Sequence, residues 1–505
     1  MALRPLFMLL ALSSATSLAA NEVGNDQHLS PAERTPDEQS RVIAVSRPTS
    51  DFTKAEPFEE NPAGAATIPA TSSAKVFKLP SANMDFDRKM EFLLGEALFE
   101  KLWVSAPSST KASDGVGPLY NARSCARCHP NAGRGHPPEN HNDTATSMFL
   151  RLSIFGGVDV AEIEGYIATL PEPTYGRQLQ DISVGGLLPE GKVTVSYEEF
   201  EVALAGGESV SLRAPTYEVN NLGYGSMHPE VMLSPRVAPQ MIGLGLLEAI
   251  PAHDIITNAD PDDMDGDGIS GRAQIVMSPE YGEPMLGRFG LKAGAATVYQ
   301  QSSDAFHSDI GISTPLFPAG WGECTEAQVD CRKAPDGNSA VNGDLEIPAD
   351  GMNAVSFYAE NLAVPARRNA DDPTVLRGKQ LFYETGCIAC HRPKYVTHRL
   401  PDQPEQSFQL IWPYTDLLLH DMGEGLADHR PEARASGTEW RTAPLWGIGL
   451  TKQVSGHSYF LHDGRARSLL EAILWHGGEA EAAKYKVTQM PKPDRDALIK
   501  FLESL

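Results

Sequence analysis

NARSCARCHP, residues 121–130, carries a Cys-x-x-Cys-His pentad, and TGCIACHRP, residues 385–393, carries a second. Two thiols one helical turn apart can add to the two vinyl groups of a haem, and the adjacent imidazole then lies under the iron as proximal ligand. The spacing predicts covalently bound haem c at Cys125, Cys128 and His129, and again at Cys387, Cys390 and His391. The six cysteines form three close pairs, and in an exported chain three disulfides would be the plain alternative. The adjoining histidines remove that alternative for the outer two pairs. The middle pair, in CTEAQVDC, has a wider spacing and no neighbouring His, so a Cys324–Cys331 disulfide is expected, with a metal site as the rival reading.

The 505 residues suffice for two or three domains, and 41% hydrophobic content supplies real cores. The 42 basic and 66 acidic residues give a formal charge of −24, which argues against nucleic acid and suits a basic redox partner. The opening MALRPLFMLLALSSATSLAA has one early Arg, an apolar run and small residues around Ala19, the pattern of a secretory signal over residues 1–19. Export to the periplasm follows, with no transmembrane helix in the mature chain. Residues 20–79, rich in Ser, Thr, Pro, Ala and Glu, read as a flexible leader.

The two pentads belong to a diverged repeat. GEALF, residues 95–99, precedes the first and GKQLF, residues 378–382, the second; APQMIGLGL (238–246) is echoed by APLWGIGL (443–450). These echoes predict a mainly α fold of two cytochrome-c-like haem domains, 80–350 and 351–505. The Val-, Tyr- and Gly-rich alternation of residues 181–225 marks a β-rich insertion in the first. In DPDDMDGDGISGRAQ, Asp263, Asp265 and Asp267 followed by Gly268 match the first half of a calcium loop, although its twelfth position is Gln274 where Glu is usual. A solvated acidic turn is the competing reading.

The stretches GPLYNARSCARCH, GRGHPP, APQMIGLGLLEAIP, DMDGDGISGRA, GRFGLKAG, ENLAVPARRN, GCIACHRP, EWRTAPLWGIG and FLHDGRARSLLEAILWHGGEA run from about residue 92 to the C-terminus. In them the chain resembles the di-haem cytochrome c peroxidase superfamily, and more closely its di-haem oxidoreductase branch, which carries peroxidase and thiol oxidoreductase labels. One departure is Leu291, where the branch pattern has Trp. The resemblance implies one electron-transfer haem fed by a small redox protein and one reactive haem that meets a small oxidant such as peroxide. By its spacing from His462, His476 takes the place of the family's distal Met, implying His391/His476 ligation. A helix-capping role for His476, and Met422 as ligand, are the rivals.

For the first haem, His136 and His141 are candidate distal ligands; failing both, the iron keeps an open position. Glu248, in the apolar run GLGLLEAIP, is the candidate catalytic carboxylate, since burial would raise its pKa and suit it to proton transfer. A structural Glu paired with an Arg is the alternative. Arg272, Arg288 and Arg465 are candidates for the haem propionates. Trp412, Trp440, Trp446 and Trp475 are candidates for conduction or simply core. Two functions remain open on sequence: a peroxidase-like oxidoreductase, or a non-catalytic di-haem electron carrier.

Overall fold

The computed structural model describes residues 23, 26–139, 143 and 147–505. The expected signal sequence and His141 lie outside the described residues. Residues 26–79 are not a loose leader but part of the packed body. Pro36–Ser46 forms helix α1, opened by a capping box in which Thr35 and Glu38 satisfy each other's backbone N–H groups. Asp26 is buried against Arg288 (2.6 Å), and Glu59 against Lys379 (2.8 Å) and Arg367. Ala63, Ile68, Val76 and Phe77 enter the larger hydrophobic core. Composition missed this because the anchoring residues are few and isolated, and each finds its partner more than 260 residues away.

The remaining helices used below are α2 (Phe86–Glu100), α3 (Val298–Ala305), α4 (Ala349–Glu360), α5 (Pro373–Glu384), α6 (Leu469–Trp475) and α7 (Lys492–Ser504). Helix α2 packs on α4, and α5 packs on α7. The GEALF/GKQLF echo has a physical cause in these two crossings. A Cβ at Gly95 would lie 2.0 Å from the Ala354 carbonyl, and one at Gly378 would lie 2.0 Å from the Ala497 carbonyl. Glycine in a helix interior costs about 0.5–1 kcal/mol, and here it permits backbone-to-backbone contact. Four residues on, Phe99 sits 6.3 Å from the His129 ring and Phe382 sits 6.1 Å from the His391 ring.

The second echo brings its two copies face to face. Gly243 and Gly447 both have φ 71°. The space a side chain would need at Gly243 is taken by Trp446, and at Gly447 by Ile242. The core around the first pentad therefore draws on Trp446, Leu450 and Val454 as well as residues 63–364, whereas a second core gathers Leu381, Phe382, Trp475, Leu498 and Phe501.

Helix accounts for 30% and strand for 17%, so the fold is mixed, not mainly α. The strands form small antiparallel sheets. Strand β1 (Met148–Phe155) pairs with β4 (Met232–Val237), and between them β2 (Lys192–Leu204) and β3 (Glu208–Asn220) form a thirteen-residue-per-strand hairpin. The β-rich reading of this stretch is thus borne out. The hairpin nevertheless rests on the second core: Leu204 and Leu212 pack there, Arg213 donates to the Arg465 carbonyl at 2.8 Å, and Tyr217 donates to Asp463 at 2.9 Å. Helical periodicity cannot foresee this, because what the strands pack on comes from 250 residues later.

Cys324 and Cys331 form the expected disulfide, seven residues apart, with Cα atoms 6.0 Å apart. Closing so short a loop restrains the unfolded chain by about 2–3 kcal/mol in the chain-entropy account. Replacing both cysteines by Ser should lower stability by that amount in denaturant titration, without changing the optical spectrum. No helix among the described residues is long and apolar enough to cross a membrane.

A cavity walled by both cysteine pairs

One cavity of about 1000 Å³ is lined by Cys125, Cys128 and His129, and also by Cys387, Cys390, His391 and His476. Each imidazole is oriented by its own backbone bond. Nδ1–H of His129 donates to Pro239 O (2.8 Å), that of His391 to Tyr414 O (3.0 Å), and that of His476 to Ala472 O (2.7 Å). In all three rings this fixes the tautomer and leaves Nε2 as a lone-pair donor, the arrangement a metal-ligating histidine needs. Burial pushes His391 down to about 4, with the nearby His476 ring acting in the same direction, and burial also lowers His129 and His476. All three stay neutral at pH 7, as a ligand must. None of the four cysteines is in a disulfide, and burial, with Asp309 adding to it, pushes the Cys125 thiol up to about 12.

The repeat extends to a second pair of turns and helices at the cavity. Bridges Phe289–Ala295 and Phe460–Ala466 close matching turns, and each turn leads to an N-cap hydroxyl, Thr297 for α3 and Ser468 for α6. Eight residues after Ser468 comes His476; eight residues after Thr297 comes Ala305, which lines the same cavity. By the same register Leu291 stands where the second copy has His462. Among the described residues, no imidazole acts on His129 as His476 acts on His391. Ala305 was invisible to motif reading because an alanine carries no signal; only the shared turn-and-cap geometry reveals it.

The other expected site residues are distributed differently. Met422 lines the cavity along with His476. His136 lies against His457 at 5.3 Å and is not in the cavity wall. Glu248 is buried, and burial pushes its carboxyl up to about 7. It accepts from Val298 N–H at 3.1 Å and lies 3.6 Å from His28 Nε2. Leu247 and Val298, not Glu248 itself, line the cavity. Asp309 does line it, beside the first cysteine pair, and burial pushes it up to about 6. His420 also reaches the wall, but its two nitrogens are held by Asp416 (2.8 Å) and Glu479 (2.7 Å).

Trp440 stacks on His462 with centroids 3.9 Å apart, and Lys292 Nζ lies 4.6 Å over the Trp440 ring. Trp446, by contrast, is buried core against Gly243. Arg272, Arg288 and Arg465, expected at propionates, are instead tied to carboxylates: to Glu439, to Asp26 and to Asp463. In the acidic loop, carboxylate oxygens of Asp260, Asp263 and Asp265 lie within 4.8 Å of one another, whereas Asp267 lines the haem-motif cavity. Gln274, at position twelve of the loop, is buried and donates to Lys292 O and Glu432 O. The ligand set of a twelve-residue calcium loop is therefore not reproduced.

Two thiol pairs, three neutral imidazoles with free Nε2 and a largely apolar wall fit two covalently held haems. No curated protein matches the chain significantly. The family profile described as "di-haem oxidoreductase, putative peroxidase" matches residues 59–505, from within the docked leader to the last residue. The chain therefore belongs to the di-haem oxidoreductase family.

Proposed function

We propose that the protein is a periplasmic di-haem c-type oxidoreductase of peroxidase type, with a reactive haem at Cys125, Cys128 and His129 and an electron-transfer haem at Cys387, Cys390 and His391. The observation that carries this reading is the exchange of His476 for Ala305 between the two copies of the turn-and-helix unit. With haem held at each cysteine pair, His476 would offer a second nitrogen ligand at the second site, whereas Ala305 would offer no ligand atom at the first, where a small oxidant could then bind. When bound, the haems would supply the site of O–O cleavage and an electron reserve.

Reduction of hydrogen peroxide to two waters takes two electrons and two protons. The electrons would come from a small redox protein, and the charge of −24 suits a basic one. Asp309, at the cavity wall, and Glu248, behind Leu247 and Val298, have carboxyl groups raised by burial to about 6 and about 7, which suits both to exchange protons near neutral pH. The apolar walls keep bulk water from the reacting centre.

Ala305→His tests the proposal. Wild-type protein should show one exchangeable, high-spin haem that binds cyanide. The variant should become low-spin at both haems, lose cyanide binding, and lose peroxide turnover by about 100-fold or more, the scale of removing a principal electrostatic contributor. If the wild type is already low-spin at both haems and ignores cyanide and peroxide, the protein is an electron carrier and the peroxidase reading is wrong.

A further inference from the structure

Seven arginines line the cavity: Arg134, Arg151, Arg177, Arg236, Arg288, Arg430 and Arg441. Five are neutralised by carboxylates. Arg151 bonds Asp304, Arg177 bonds Glu323, Arg236 and Arg430 share Glu432, and Arg288 bonds Asp26. Arg134 and Arg441 have no carboxylate within salt-bridge distance among the described residues. Arg134 donates to the Leu461 carbonyl, and its Nε is buried without a partner. Arg441 donates to Gly290 O and Thr442 O, each at 3.0 Å. The acids that act on them from further away are already engaged: Asp463 by Arg465, and Asp416 by His420. Burial weakens both guanidinium groups, to about 10, as expected of a cation removed from water without compensation.

A charge withdrawn from water without a carboxylate partner is costly, and at these two positions the chain supplies only backbone carbonyls and more distant carboxylates that are engaged elsewhere. The two positions are divided between the two sites. Arg134 follows His129 by five residues, whereas Arg441 feels Asp416, which also acts on Cys390 and His391. We infer that Arg134 and Arg441 are the propionate anchors, one for each haem, so that cofactor carboxylates complete ion pairs the chain leaves half-made. The planar fork of a guanidinium matches a carboxylate, and cation and carboxylate leave solvent together. Lys486, the cavity's other cation without a carboxylate, sits at the exposed rim and keeps its hydration.

The inference rests on the two-haem reading, and the test separates them. Purified wild type and the Arg134→Gln, Arg441→Gln, Arg134→Lys and Arg441→Lys variants are assayed for haem content as the pyridine haemochrome, then titrated spectroelectrochemically. A positive charge beside a haem favours its reduced state. Each Gln variant should therefore lower the potential of one haem, a different one in each case, and the matching Lys variant should restore most of the shift. With two haems per chain, unchanged potentials in both Gln variants, or equal shifts of both haems in each, overturn the inference. A content other than two haems overturns the reading beneath it. If a Gln variant fails to load haem, wild type alone decides. Propionates held by guanidinium stay ionised, so the potential of the second haem should be flat between about pH 5 and 8, whereas Asp309 and Glu248 impose a slope on the first; a slope at the second haem overturns the inference.

Discussion

Replacing His476 by Gly is expected to abolish the low-spin signal of the second haem and to create a second site that binds exogenous ligands. Free imidazole added to this variant should restore the low-spin spectrum by filling the space the side chain left. Electron paramagnetic resonance and optical spectra of the oxidised protein read both outcomes. The physical basis is the fixed ring. His476 ends α6, and its Nδ1 donates 2.7 Å to Ala472 O, one turn back along the same helix. The helix-capping and iron-binding readings of this residue are therefore not exclusive, because the bond to the helix is what aims Nε2 outward. A spectrum unchanged by the substitution would remove His476 from the ligand set and turn attention to Met422. Together with Ala305→His, this variant exchanges the characters of the two sites from opposite directions.

Replacing Lys292 by Met should destabilise the protein by about 3–5 kcal/mol. The Lys292 ammonium is fully buried and spends its three donors on Asp428 (2.8 Å), Arg430 O (2.9 Å) and Ser436 O (2.7 Å). Its removal strands the Asp428 carboxylate, whose side chain is also inaccessible, with Ser234 and the Arg430 amide as remaining donors. It also removes the cation from one face of Trp440, the ring that stacks on His462. Denaturant titration of the loaded protein measures the loss. The double variant Lys292→Met/Asp428→Leu should recover part of it, since replacing both members of a buried pair by apolar groups avoids the unpaired charge. If the double variant is less stable than Lys292→Met, the pair is not the source of the effect.

The sequence made some of this legible for definite reasons. A pentad of Cys, Cys and His is local chemistry, and any fold that presents it to haem must keep its spacing. The GEALF and GKQLF copies were legible because each encodes one requirement, a helix that approaches another closely at Gly95 or Gly378 and then sets a phenyl ring against the proximal histidine. The place of His476 in the cavity wall was reachable from the family resemblance because α6 carries it in register from the HDG turn. The Val- and Tyr-rich hairpin was legible from its alternation.

Other features needed the folded chain. Asp26, Glu59 and Phe77 look like residues of an unstructured leader until Arg288, Lys379 and the core receive them. Glu248 was correctly placed in an apolar environment, yet the direction of its carboxylate, toward Val298 N–H, follows from packing against α3. Arg272, Arg288 and Arg465 could not be told from Arg134 and Arg441 by residue type, since an arginine's role depends on whether a carboxylate lies beside it. Ala305 gains its meaning only from standing where His476 stands in the other copy. The sequence by itself determined the covalent chemistry and the repeated helix contacts, which depend on neighbours within a few residues. The tertiary structure decided which charges are paired, which carboxylates reach the cavity and which residue stands opposite His476 in the repeat, because these are set by partners hundreds of residues apart.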